Sequence, residues 1–157
     1  MKNNIKIISI IIFSILSMSC GFEKINQNYK PLINIVNIDI IGDKGIGYNL
    51  KNNILLISDK NAKSRYEIII NIKQNKSVKT KDSTGKVTRY NMILSVKLEL
   101  KNIETLEIIS RSFTKNDDYN IFKSHSDTIS DKNNTSKNLV KLISDDIINF
   151  ITLSIEN

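Results

Sequence analysis

The sequence predicts an α+β domain: about four strands in a mostly antiparallel sheet, with two helices packed on one face, in the order β-α-β-β-β-α. Three observations carry this. Residues 88–100, TRYNMILSVKLEL, set Tyr90, Met92, Leu94, Val96, Leu98 and Leu100 on one side and Arg89, Asn91, Ser95, Lys97 and Glu99 on the other. Period-two alternation of that length marks a strand with one buried and one wet face. Ile46, Leu50, Ile54 and Ile57 recur at helical spacing, and so do Leu139, Val140, Ile143, Ile147, Phe150 and Ile151.

Taken in order, residues 33–41 (INIVNIDII) are rich in Ile and Val with partial alternation and predict the first strand. The loop GDKGIG leads into the first helix, within residues 46–58. RYEIIINIKQ (65–74) predicts the second strand, with Tyr66, Ile68, Ile70 and Ile72 on one side. The third strand follows, and at ~3.3 Å per residue it reaches roughly 40 Å. TLEIISRSFTK (105–115) alternates more weakly and predicts a fourth strand, joined by a short turn near Asn102. The last helix is centred on 139–151, and SDKNNTSKN before it is a poor helix former.

The N-terminus sets the compartment. Lys2 and Lys6 precede an apolar run from Ile7 to Leu16, then Ser17, Ser19 and Cys20. The run is well short of the roughly 20 residues that span a bilayer, and its layout is that of a secretory signal. A thiol directly after small residues is the arrangement of a bacterial lipoprotein signal: the thiol is diacylated, the chain is cut before it, and the new amine is acylated. The other reading is an ordinary signal peptide with a chance cysteine near its end. Cys20 is the only cysteine, so an intramolecular disulfide is excluded. Gly21 follows, and no Asp stands there to retain a lipoprotein at the inner membrane, so the outer membrane is the expected destination, reached by a domain facing the periplasm. The expected organisation is a cleaved signal peptide (1–19), a lipidated tether (20–32, with Pro31, the only proline) and one domain (33–157).

Charge and chemistry narrow the function. The signal segment carries two lysines and no acid, so cleavage lowers the net charge from +7 to +5. That balance suits an anionic partner such as lipopolysaccharide or anionic lipid, and secretion argues against nucleic acid. His125 is the only histidine and sits in a polar stretch, which leaves no Cys/His metal site and reads as a solvated or capping residue. Asp117–Asp118 and Asp145–Asp146 are adjacent pairs whose members point apart, as turn and helix-surface acids do. STGKVT lacks the upstream glycine of a phosphate loop, since Thr80 stands there. No catalytic set, metal or cofactor is therefore expected. What remains is the basic stretch KQNKSVKTKDSTGKVTR, with Lys73, Lys76, Lys79, Lys81, Lys86 and Arg89 around the hairpin between the second and third strands. It reads either as a solvated turn in a lysine-rich chain or as a patch for phosphates or sugar acids, Lys supplying point charges and Arg a fork.

Assembled, these parts resemble the lipopolysaccharide-assembly lipoprotein family, LptE. The resemblance rests on CGF at the mature start, the strand–helix–three strands–helix order, the hairpin DSTGKVTRYNMILSV entering a long third strand, and RSF in the fourth strand followed by Lys123. It implies an outer-membrane lipoprotein that plugs the LptD β-barrel and touches lipopolysaccharide. Two basic positions make that contact in the family, one near the tip of the second hairpin and one after the RSF strand. Lys123 matches the second. Ser83–Thr84 occupy the first, leaving Lys81 or Lys86, with Arg89 beside them in the basic stretch. A different class of reading is a lipid-anchored scaffold, such as a secretin pilot, that never binds lipopolysaccharide.

Overall fold

The computed structural model describes residues 33–155; Cys20, the signal segment and the tether lie outside the described residues. The elements are β1 (Asn34–Ile41), α1 (Lys44–Ile54, continued by a 3-10 turn at Leu55–Ile57), β2 (Arg65–Lys81), β3 (Val87–Asn102), β4 (Ile108–Asn120) and α2 (His125–Ile155). One sheet runs in the order β1-β2-β3-β4, with β1 parallel to β2 and the other pairs antiparallel. α1 rests on β1 and β2, α2 rests on β3 and β4, and the helices touch each other. The α+β class and the element order are those the sequence predicts.

The core follows from the alternation. Met92, Leu94, Val96, Leu98 and Leu100 are all buried in β3, the last three opposite Ile72, Ile70 and Ile68 of β2. The incomplete pattern of β1 has a local cause: its register slips between Ile35 and Asn37. That bulge leaves Val36 exposed and lets Ile35 and Ile38, three apart, both face inward. On α1, Asp43 caps the helix by accepting the Ile46 N–H at 2.8 Å, and Ile46, Leu50, Ile54 and Ile57 are buried.

α1 begins at Lys44, inside the expected GDKGIG loop, and β4 begins at Ile108 and not at Thr105. Three further boundaries differ by more. β2 continues past Gln74 to Lys81, so Lys76, Lys79 and Lys81 belong to a strand and not to a turn. Cross-strand contacts sustain it: the Lys76 ammonium lies 4.9 Å from the Tyr90 ring centroid, and Thr88 donates to Thr80 at 3.1 Å. β4 likewise continues to Asn120, which puts Asp117 and Asp118 in a strand, one to each face. Asp117 accepts from Asn138 on α2, while Asp118 accepts from Asn91 on the open face. The third difference is α2, which begins at His125 in spite of its poor helix formers. Ser124 caps it, accepting the Asp127 N–H at 3.3 Å. Thr128 accepts from the Phe122 N–H, Asp131 from the Asn120 N–H, and Thr135 donates to the Asp118 carbonyl. These residues lie on one helical face and hold it to the end of β4, so tertiary bonds override weak propensity.

Gly42 shapes one edge of the sheet. It has φ +107, and a Cβ there would lie 2.2 Å from the Ile72 carbonyl oxygen, so a residue with a side chain cannot make this turn. β1 leaves the sheet at this point, its last partnered residue being Ile41 opposite Asn71. Beyond Ile72, β2 has no strand beside it on that side among the described residues.

Candidate functional site

The sheet extends past α1 as a hairpin whose β2 residues, Lys73 to Lys81, are all exposed. Its turn is built around Asp82. The carboxylate accepts from the Thr84 N–H at 2.9 Å, the Thr84 hydroxyl at 2.6 Å and the Lys86 N–H at 3.0 Å. Gly85, at φ +83, completes the turn. The Thr84 hydroxyl is the main reason that the Asp82 pKa lies below the ordinary carboxylate value; the two backbone donors and nearby Lys86 reinforce it, against a smaller opposing effect of desolvation. The sequence marks this device only by Asp-x-Thr-Gly between two strands. It holds Lys81 and Lys86 on either side of a hydrogen-bonded tip.

Arg89 is fixed from the other direction. Its Nε donates to Asn120 Oδ1 at 2.9 Å, and Asn120 in turn donates to Asp131 of α2. One residue further on, the Ile121 N–H donates to the Thr88 carbonyl, which brings the β4–α2 connection to the hairpin. Lys123 lies in that connection and is exposed. The fold thus brings Lys81, Lys86, Arg89 and Lys123 to one end of the molecule, although 42 positions separate the first from the last. Lys81 and Lys123 have no carboxylate partner among the described residues. Lys79, in contrast, is committed to an ion pair with Asp118, which lowers the Asp118 pKa together with the Asn91 hydrogen bond.

No protein-family model matches the chain, and no curated protein does. Solved structures do. Rare lipoprotein B from Shewanella oneidensis superposes with a TM-score of 0.58 at 13% identity, over 75% of this chain and 95% of that one. A Caulobacter crescentus protein described as a lipoprotein gives 0.57 at 10% identity, over 76% and 91%. The chain has the fold of both lipoproteins.

The open face of the sheet differs in character from the tip. Lys97 pairs with Glu99, Lys101 with Glu67, and Arg65 with Glu104, while Ser95 and Thr114 share a hydrogen bond. It is a wet face with its charges largely cancelled. Exposed ion pairs of this kind contribute little stability, because water and salt screen them. His125 is exposed at the first position of α2. Among the described residues no three His, Cys, Asp or Glu side chains converge as metal ligands, and no helix is long and apolar enough to cross a membrane.

Proposed function

We propose that this protein is an outer-membrane lipoprotein that seats in an LptD-type β-barrel and assists lipopolysaccharide assembly, binding its partners without catalysing a reaction. The observation that carries the reading is the fold, shared with two bacterial lipoproteins, combined with a signal segment that ends at Cys20. Two further features agree with it. The hairpin and the β4–α2 connection form one cationic end, suited to the phosphates of a glycolipid. The long sheet has one wet face with paired charges, which suits a polar barrel interior.

In this reading, barrel contact supplies most of the binding energy, since an obligate interface buries over ~2,000 Å². The glycolipid contact is smaller and salt-sensitive. Changing Lys81, Lys86 and Lys123 together to Glu should leave barrel co-purification intact and weaken lipopolysaccharide binding about tenfold, ~1.4 kcal/mol. The loss should be largest at low ionic strength, where exposed charges are least screened. Unchanged lipopolysaccharide binding by the triple variant would remove the basic end from the site.

A further inference from the structure

A cavity of about 250 Å³ lies where the start of α2 crosses the sheet, lined by Gln74, Asn75, Lys76, Met92, Tyr119 and Lys132. Its lining residues include two lysines and no aspartate or glutamate. Neither Lys76 nor Lys132 has an acidic partner among the described residues, and Lys76 is instead held over the Tyr90 ring. Tyr119 is 3% exposed, and its ring stacks on Tyr90 with centroids 5.6 Å apart. Its hydroxyl nevertheless has no hydrogen-bond partner among the described residues. No fully buried side-chain oxygen among them is unsatisfied, so the small exposed part of Tyr119 must include that hydroxyl, which opens on the cavity. Water reaches the hydroxyl there, so a ligand can take over its donor and acceptor positions without breaking a hydrogen bond within the protein.

From these groups we infer that the cavity binds the phosphate of a phosphorylated sugar. Lys76 and Lys132 supply two positive charges for a dianion, and Tyr119 donates a hydrogen bond to a phosphate oxygen. Met92 and the Tyr119 ring give the sugar an apolar floor, and Gln74, whose Nε2 is turned to the Met92 sulfur at 3.1 Å, keeps its amide oxygen for a sugar hydroxyl. The phenol is a donor at neutral pH as any tyrosine is, and burial, reinforced by the neighbouring Tyr90, raises its pKa further. The volume is below the ~300–1,000 Å³ of pockets that enclose a drug-sized ligand, so the site takes one headgroup and leaves the remainder outside. The inference rests on the glycolipid reading above and adds a second contact with different residues from those at the hairpin tip.

The test uses the full chain, purified in uncharged detergent, and glucosamine 1-phosphate as the titrant in calorimetry. Lys76→Gln and Lys132→Gln should each weaken binding several-fold. Tyr119→Phe should weaken it about tenfold, as expected for one hydrogen bond to a charged group, with an unchanged melting midpoint because the ring stays in place. Lys60→Gln, an equal charge change in the α1–β2 loop, should bind as the parent does. Inorganic phosphate should compete more weakly than the sugar phosphate, and phosphatidylglycerol vesicles should not compete at matched phosphate. Wild-type affinity in Tyr119→Phe, an equal loss in Lys60→Gln, or displacement by the vesicles would each overturn the assignment. Barrel capture is read separately, so the cavity and the barrel partnership can fail independently.

Discussion

Leu94→Asp is expected to abolish folding. Leu94 is 0% exposed at the centre of β3, opposite Gln74 on β2 and Lys115 on β4. Its neighbours along the buried face, Met92 and Val96, are buried as well. A carboxylate there would lose its water, and the one ammonium across the strand pair, that of Lys115, is already paired with Asp146. That costs several kcal/mol against a total stability of roughly 5–15. Ser95→Asp is the control one residue away: its side chain lies on the open face, opposite Lys73 and two residues from Lys97 on the same strand. It should change stability by less than about 1 kcal/mol. Asn91→Asp shares that face but is a poorer control, because Asn91 Nδ2 donates to Asp118 at 2.9 Å and the change would set two carboxylates together. Urea unfolding followed by circular dichroism decides the matter. Equal destabilisation by Leu94→Asp and Ser95→Asp would mean that β3 is buried on both faces.

The second large effect is on the anchor. On the lipoprotein reading proposed above, Cys20→Ala removes the only thiol, and with it the acceptor for diacylation. The precursor should keep residues 1–19 and fail to collect at the outer membrane. Each buried CH₂ of an acyl chain contributes ~0.8 kcal/mol, and two or three chains hold a protein on a membrane where one chain holds it only marginally. Mass spectrometry of the membrane-extracted protein gives the answer, since a mature N-terminus bearing an unmodified Cys20 thiol is incompatible with a lipoprotein.

How far the sequence was legible varied with the source of each element's order. β3 could be read residue by residue because one periodic pattern sets its buried face. α1 could be read because Ile46, Leu50, Ile54 and Ile57 supply its buried apolar side chains; Gly47, buried against Ile40, adds none to the pattern. β4 alternates weakly because it is an edge strand bridged to α2 by polar groups. Lys115 pairs with Asp146 at 2.8 Å, and the Arg111 guanidinium lies 5.2 Å from the Phe150 ring centroid. Such positions look solvent-facing in sequence. The first half of α2 was hidden for the same reason: Thr128, Asp131 and Thr135 bind the end of β4 through polar atoms that an apolar-periodicity argument ignores. Polar residues spaced three and four apart after Ser124 were the available signal.

The candidate site divides along the same line. Lys81, Lys86, Arg89 and Lys123 could be named from charge and resemblance, but their convergence depends on the Arg89–Asn120 and Ile121–Thr88 bonds, which span 31 and 33 positions. Lys132 and Tyr119 could not be found at all. A buried tyrosine is recognisable as unusual only when the partners of its hydroxyl are known.

Barrel partnership is tested most directly by affinity capture of the lipidated protein from detergent-solubilised membranes, with the co-purifying proteins identified by mass spectrometry. A lipoprotein that plugs an LptD-type barrel should carry one large outer-membrane β-barrel at near-equal amount, resistant to high salt because the interface is large. Recovery of a secretin, or of no barrel, would contradict that partnership and leave a lipid-anchored scaffold of another envelope complex as the function.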